Sequence, residues 1–273
     1  MSAAVLSDIW SGLAVILYVL ATFLLFRSVL RKGNIPGSSV NSLIILAVIT
    51  HGLALLMDFT GGGGINISLS AAMSTIAWVV VGLFLIARIQ QPVDSLGLVI
   101  LPYASVAVLL AWLWSAPPVK LDHLDPLAIA HILIAVVAYG LLALAFCQAI
   151  LVLLQEWQLQ HKHAGSVFHA LPPLDRMERI LFQIIGVGFF LLTITLISGI
   201  FFAREIFGKA FVFNHHVVLS VIAWLSFGGL LVARAIWGWR GRVAAIWTIS
   251  SFAVLVLAYF GTRFVMEVVL SRA

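Results

Sequence analysis

Eight stretches of about 20 residues recur along this chain with scarcely a charge inside them, at roughly 8–27, 40–58, 68–88, 96–115, 127–155, 178–203, 216–237 and 243–265. A helix needs about 20 apolar residues to cross a bilayer. Inside lipid the backbone must satisfy its own hydrogen bonds, so each stretch reads as a spanning helix. The expected fold is all-α: a polytopic transmembrane helical bundle of about eight spans, forming one integral-membrane domain over residues 1–273. The fifth stretch exceeds what the bilayer needs and is expected to project past its surface as a helix. With 63% hydrophobic and 9% charged residues, the chain lacks the charge to cover a water-soluble globule.

The charges that remain set orientation. Ten of the 15 Lys and Arg fall in the connections after spans one, three, five and seven, among them Arg27, Arg31, Lys32, Arg234, Arg240 and Arg242. The positive-inside bias puts that side in the cytoplasm and both termini outside. The net charge of +5 is small and dispersed, which argues against a nucleic-acid partner. The first apolar run lacks a preceding basic region and is followed by a stop-transfer cluster, so it reads as a span and not a cleavable signal. A single cysteine, Cys147, excludes an internal disulfide, a CxxC redox pair and a CxxCH haem attachment. The run Gly61-Gly62-Gly63-Gly64 lacks the spacing of a phosphate loop and reads as a turn. Gly186, Gly188, Gly228 and Gly229 are small residues that let neighbouring helices approach.

Ionisable groups within a membrane are costly and point to function. His51 in the second span and His131 in the fifth both lie on the order of 10 Å below the outer surface at 1.5 Å per residue. Equal depth suits a bis-histidine iron site, imidazole being a common axial ligand. The alternative for each is a neutral histidine bonded to a hydroxyl or a backbone carbonyl. The outward loop 204–216 carries Phe207, Gly208, Phe211 and Phe213, then the pair His215-His216 at the start of span seven. Three Phe beside a Gly make an apolar platform suited to a porphyrin face. Adjacent helical positions point about 100° apart, so at most one of His215 and His216 faces a given pocket. His161, His163 and His169 in the connection 156–177 read as solvated. Pro173 can start the sixth helix, with Asp175 and Glu178 in or near its first turn. Asp8, Asp58 and Glu267 sit near span ends, and a transporter reading has no pair of broken spans to support it.

Two blocks carry a family resemblance. One contains Ala130-His131, Ala138-Tyr139-Gly140 and Leu153-Leu154-Gln155-Glu156. The other runs from Leu171-Pro172-Pro173-Leu174-Asp175 through Ile197-Ser198-Gly199 and Ile222-Ala223-Trp224-Leu225 to Gly238-Trp239-Arg240-Gly241 and Ala258-Tyr259-Phe260-Gly261. Over nearly its whole length the chain resembles the CcsA-like haem-handling membrane proteins of cytochrome c assembly, nearest the bacterial inner-membrane branch typified by YpjD and HemX. The resemblance implies haem bound at the outer face by a tryptophan-rich loop and flanking histidines. His131 falls on the family's first external ligand and His51 on the histidine of an early span. The later span histidine falls near Val232 and the second external one near Leu270, so neither is a histidine here. The family loop, roughly W-G-x-Y-W-x-W-D-P-K, keeps its glycine as Gly208, but each Trp becomes Phe, the Tyr becomes Ala210 and the Asp becomes Asn214.

These departures mark a reduced relative. It is expected to hold haem b non-covalently through His131 with His51, or with His215 or His216 as substitute, in the bacterial inner membrane and with loop 204–216 on the periplasmic side. Its expected partners are the lipid bilayer, haem and other cytochrome c assembly proteins or an apocytochrome. It is not expected to be an enzyme. The alternative is a membrane accessory or regulatory protein that keeps the fold and has lost haem handling.

Overall fold

Every regular element is helical in the computed structural model, which describes residues 3–32, 38–61, 68–90, 93–114, 126–161, 172–207, 215–261 and 264. The order is α1 (Ala3–Lys32), α2 (Ser38–Gly61), α3 (Leu69–Gln90), α4 (Gly97–Leu113), α5 (Pro126–His161), α6 (Leu174–Phe207), α7 (His215–Trp237) and α8 (Gly241–Val256). A 3₁₀ turn, Asp94–Leu96, leads into α4, and α8 runs on as a π-helical turn, Leu257–Gly261. Eight helices are long and apolar enough to cross a membrane. At 36 residues α5 is the longest of them, roughly 54 Å at 1.5 Å per residue and well beyond a ~30 Å hydrocarbon core.

The described ends have local causes. Ser68 caps α3: Ala71 N–H donates to its Oγ at 3.3 Å and Ala72 N–H to its carbonyl at 2.9 Å. Pro173 starts α6, as the sequence suggests, its carbonyl accepting from Arg176 N–H at 2.9 Å and Met177 N–H at 3.2 Å. Gly238 closes α7 in the left-handed conformation, φ 67°, its N–H donating to Arg234 O at 3.1 Å.

The chain packs as two compact units: Met1–Asp122 with His161–Pro172, and His123–Gln160 with Pro173–Ala273. In the first, α1 packs on α2 and α4, and α3 on α2 and α4. Its interior is a seam of small and medium residues at three- and four-residue spacing: Ala14, Tyr18, Ala21 and Leu25 on α1, and Ile44, Ala47, His51 and Ala54 on α2. With no hydrophobic drive between helices in lipid, close backbone approach through small residues supplies the packing. Trp78 of α3 lies over Gly52 of α2, and its Nε1–H donates to Val48 O at 2.9 Å. Arg88 pairs with Asp94, Nε–H to Oδ1 at 2.6 Å, and donates to Asn41 Oδ1 at 2.8 Å. That network ties α2, α3 and the 3₁₀ turn together.

In the second unit the seam of α5 is Ala138, Leu142, Ala145, Ala149 and Val152, all fully buried. A Cβ built at Gly188 of α6 lies 2.9 Å from Leu142 Cδ2, so a side chain there would press on Leu142. Gly228 plays a milder version of that role against Phe189, at 3.2 Å, where Phe189 stacks on Trp224. Among the described residues nothing lies within 4 Å of a Cβ at Gly186 or Gly229, so only two of the four glycines serve the approach expected of them. Polar contacts add to the packing: Gln148 donates to Met177 O at 2.9 Å, Trp224 Nε1–H to Thr193 Oγ1 at 2.8 Å, and Tyr139 OH to Leu255 O at 3.0 Å. Outward faces in both units are large and apolar, for example Ile16, Phe23 and Ile49, and Leu133, Phe190 and Leu225. Such surfaces suit lipid and not water.

Candidate functional site

His131 lies in the second turn of α5, half-buried, with its ring against the Ile197-Ser198-Gly199 step of α6. Ser198 Oγ donates to Ile194 O at 2.8 Å and also lies 3.1 Å from Thr195 O. The same hydroxyl lies 2.8 Å from His131 Nδ1, so it joins the imidazole to the backbone of α6. A back-bonded serine facing Nδ1 would make the neutral imidazole the Nδ1–H tautomer. Holding one ring nitrogen to fix the tautomer and aim the other is how proteins orient ligating histidines. Gly199 is part of the arrangement: a Cβ there would lie 3.5 Å from His131 Cε1.

Also in this unit, His215 and His216 open α7 and diverge as adjacent helical positions must. His215 is exposed, whereas His216 is half-buried with its ring edge-on to Tyr259, centroids 6.1 Å apart. Tyr259 sits in the π-helical turn and also meets Tyr139 of α5 at 6.4 Å. Single π turns concentrate at functional sites. Of the aromatic loop, the backbone of Phe207 ends α6, while Gly208, Phe211 and Phe213 lie outside the described residues, as do His163, His169 and Glu267.

His51 belongs to the first unit and is differently placed. It is 1% exposed, and both ring nitrogens are engaged: Nδ1 with Tyr18 OH at 3.3 Å and Nε2 with Ser74 Oγ at 2.9 Å. It lines a polar cavity of about 100 Å³ that also takes in Ser7, Asp8, Ser11 and Asp58. Ser7 hydrogen-bonds Asp58, and Trp112 Nε1–H donates to Asp8 Oδ1 at 3.0 Å. The sequence shows the two acids only as span-end residues. Their convergence near a histidine follows from the pairing of α1 with α2, and its one advance signal is that both lie at the same end of antiparallel neighbours.

A second feature escapes sequence reading. Glu178 of α6 is buried. Its Oε1 accepts from Gly241 N–H at 2.8 Å, and its Oε2 faces Arg234 at 3.9 Å. Arg234 donates in turn to Trp239 O at 3.2 Å and lies over the Phe182 ring at 4.3 Å. The turn Gly238-Trp239-Arg240-Gly241 is thus clasped onto α6.

Residues 10–270 match the family model described as cytochrome C assembly protein. The chain belongs to that family. Within the cytochrome c assembly family it is similar to the inner membrane protein YpjD of Escherichia coli strain K12, 29% identical over 270 residues, covering 96% of this chain and 99% of YpjD. An uncharacterized 28.8 kDa protein of Azospirillum brasilense is 34% identical over 140 residues, 51% of this chain and 52% of that protein. The cytochrome c biogenesis protein CcsA of Synechocystis is 38% identical over 89 residues, 33% of this chain and 27% of that protein. The likeness to YpjD is therefore end to end, and the likeness to CcsA is confined to a third of this member of the cytochrome c assembly family.

Proposed function

We propose that this protein holds haem b non-covalently near the outer face of the bacterial inner membrane, with His131 as an axial ligand. The observation that carries the reading is the Ser198–His131 contact, which holds the imidazole ring in place against α6. An imidazole oriented by a serine beside a helix step with no side chain at Gly199 suits a haem iron. His216, turned toward Tyr259 at the start of α7, is the first candidate for the opposite ligand, with His215 as a further one. Phe207, Gly208, Phe211 and Phe213 would supply the apolar platform on the periplasmic side, with both termini on that side. Bound haem brings redox and ligand-exchange chemistry of its own. This chain's part is to bind, orient and exclude water, for hand-over to or from other cytochrome c assembly proteins or an apocytochrome, and it performs no catalysis itself.

The test is the visible spectrum and pyridine-haemochrome content of detergent-purified protein beside the His131→Ala variant. Expected are a six-coordinate spectrum and about one haem per chain in the parent protein, both lost in the variant. Unchanged haem content in His131→Ala would overturn the ligand assignment.

A second reading has one observation in its favour. His51, the early-span histidine, is satisfied at both nitrogens by Tyr18 and Ser74. An accessory protein that keeps the fold without haem would show that arrangement and would bind no hemin on reconstitution.

A further inference from the structure

The end of α5 and the start of α8 enclose a groove of about 290 Å³ in the second unit. Its polar lining is Glu156, Gln160 and Arg242. Its apolar wall is Leu153, Leu154 and Ile246, with Trp157 beside them, 54% exposed. Leu153, Glu156, Trp157 and Gln160 share one face of α5, and Arg242 and Ile246 one face of α8, by their three- and four-residue spacing.

Three observations say what this groove takes. First, Glu156 Oε2 is buried with no hydrogen-bond partner. It is held near the turn, where a Cβ at Gly241 would lie 3.4 Å away. A buried carboxylate oxygen without a donor is costly, and a ligand that brings N–H groups removes that cost. Second, the cation on the same groove does not neutralise it: among the described residues the ion pairs are Arg88–Asp94 and Arg234–Glu178, and Arg242 is in neither. Acid and base therefore stand in one groove, apart from each other, each able to meet an opposite charge on a ligand. Third, the groove lies toward the end of a 36-residue helix, longer than a hydrocarbon core needs, and carries an exposed Trp. Exposed indole rings settle at membrane interfaces.

We propose that this groove is a binding site for phosphatidylethanolamine. The ammonium pairs with the Glu156 carboxylate, which turns to meet it, the phosphate is met by Arg242 and the Gln160 amide, and an acyl chain lies on Leu153, Leu154 and Ile246. A purely anionic lipid would satisfy Arg242 and set its phosphate against Glu156. A choline lipid carries the same charges but has no N–H to give the carboxylate. The site is independent of whether the chain binds haem.

The test is native mass spectrometry of the full-length protein from nanodiscs of phosphatidylethanolamine, phosphatidylcholine and phosphatidylglycerol with identical acyl chains. The parent protein is expected to retain the ethanolamine lipid roughly tenfold better than the choline lipid, as a charge-assisted hydrogen bond would give. Glu156→Gln should bring that ratio close to unity, and Arg242→Gln should weaken retention of both lipids. Equal retention of the ethanolamine and choline lipids by the parent protein overturns the proposal without any variant. So does preference for phosphatidylglycerol, which would mean a site built on Arg242 alone. An ethanolamine preference that survives Glu156→Gln overturns it as well.

Discussion

His51 and His131 are the same side chain on separate stretches of one apolar chain, yet the two units use it differently. In the α1–α4 unit the imidazole sits on the helix seam, fully buried, bonded on one side to a phenol and on the other to a serine. Three helices meet on it, and it acts as a polar rivet in a wall of alanines. In the α5–α8 unit the imidazole is half-buried, and the serine that touches it also lies within hydrogen-bond reach of its own helix backbone. One arrangement consumes both nitrogens for packing. The other orients a half-buried ring through one serine. A histidine within a span is therefore not informative by its presence. Depth of burial and the partners of the ring are what distinguish the two.

The sharpest way to break this contrast is to remove each ring in turn. His131→Ala should reduce haem to under about a tenth of the parent content, since an axial ligand is lost, while the thermal unfolding midpoint in detergent changes little. His51→Phe should do the reverse. Leaving Tyr18 OH and Ser74 Oγ without partners in the core costs about 2 kcal/mol, seen as a lower unfolding midpoint, while haem per folded chain stays within about twofold. Haem loss in His51→Phe with unchanged stability would reverse the assignment of roles.

A smaller effect probes the support and not the ligand. Ser198→Ala should weaken hemin binding about tenfold by spectral titration, in the range for outer partners of ligating histidines. Ser198→Thr, which keeps the back-bonded hydroxyl, should restore it. The smallest effect compares two glycines two residues apart on α6. Gly188→Ala presses a methyl onto Leu142 and should cost about 1 kcal/mol. Gly186→Ala meets open space and should raise stability by up to about 1 kcal/mol through helix propensity. Equal effects at both would mean that α5 and α6 do not approach closely at Gly188.

Much of the fold can be read along the chain. The eight helices coincide with the eight apolar stretches, the fifth runs long, and Pro173 opens α6. Parts of the site are legible too: His131 stands out as a charge-capable group in a span, and His215 and His216 diverge as helical geometry demands. Its supports are not. Ser198 is 67 residues from His131, and Glu178 is 63 from the Gly241 N–H it accepts. Asp8 and Asp58 look like ordinary span-end acids until α1 lies against α2.

The reason is the solvent. Lipid imposes one demand on every crossing segment, an apolar surface with its backbone bonds made internally, and each segment can meet that demand alone. Span number, length and the sites of intramembrane histidines are accordingly written locally. Helix rotation is not, because a helix apolar all round carries no stripe to say which side faces its neighbours. Which nitrogen of His131 is held, and that both of those of His51 are, came from how alanines, glycines and serines on separate helices let the backbones meet.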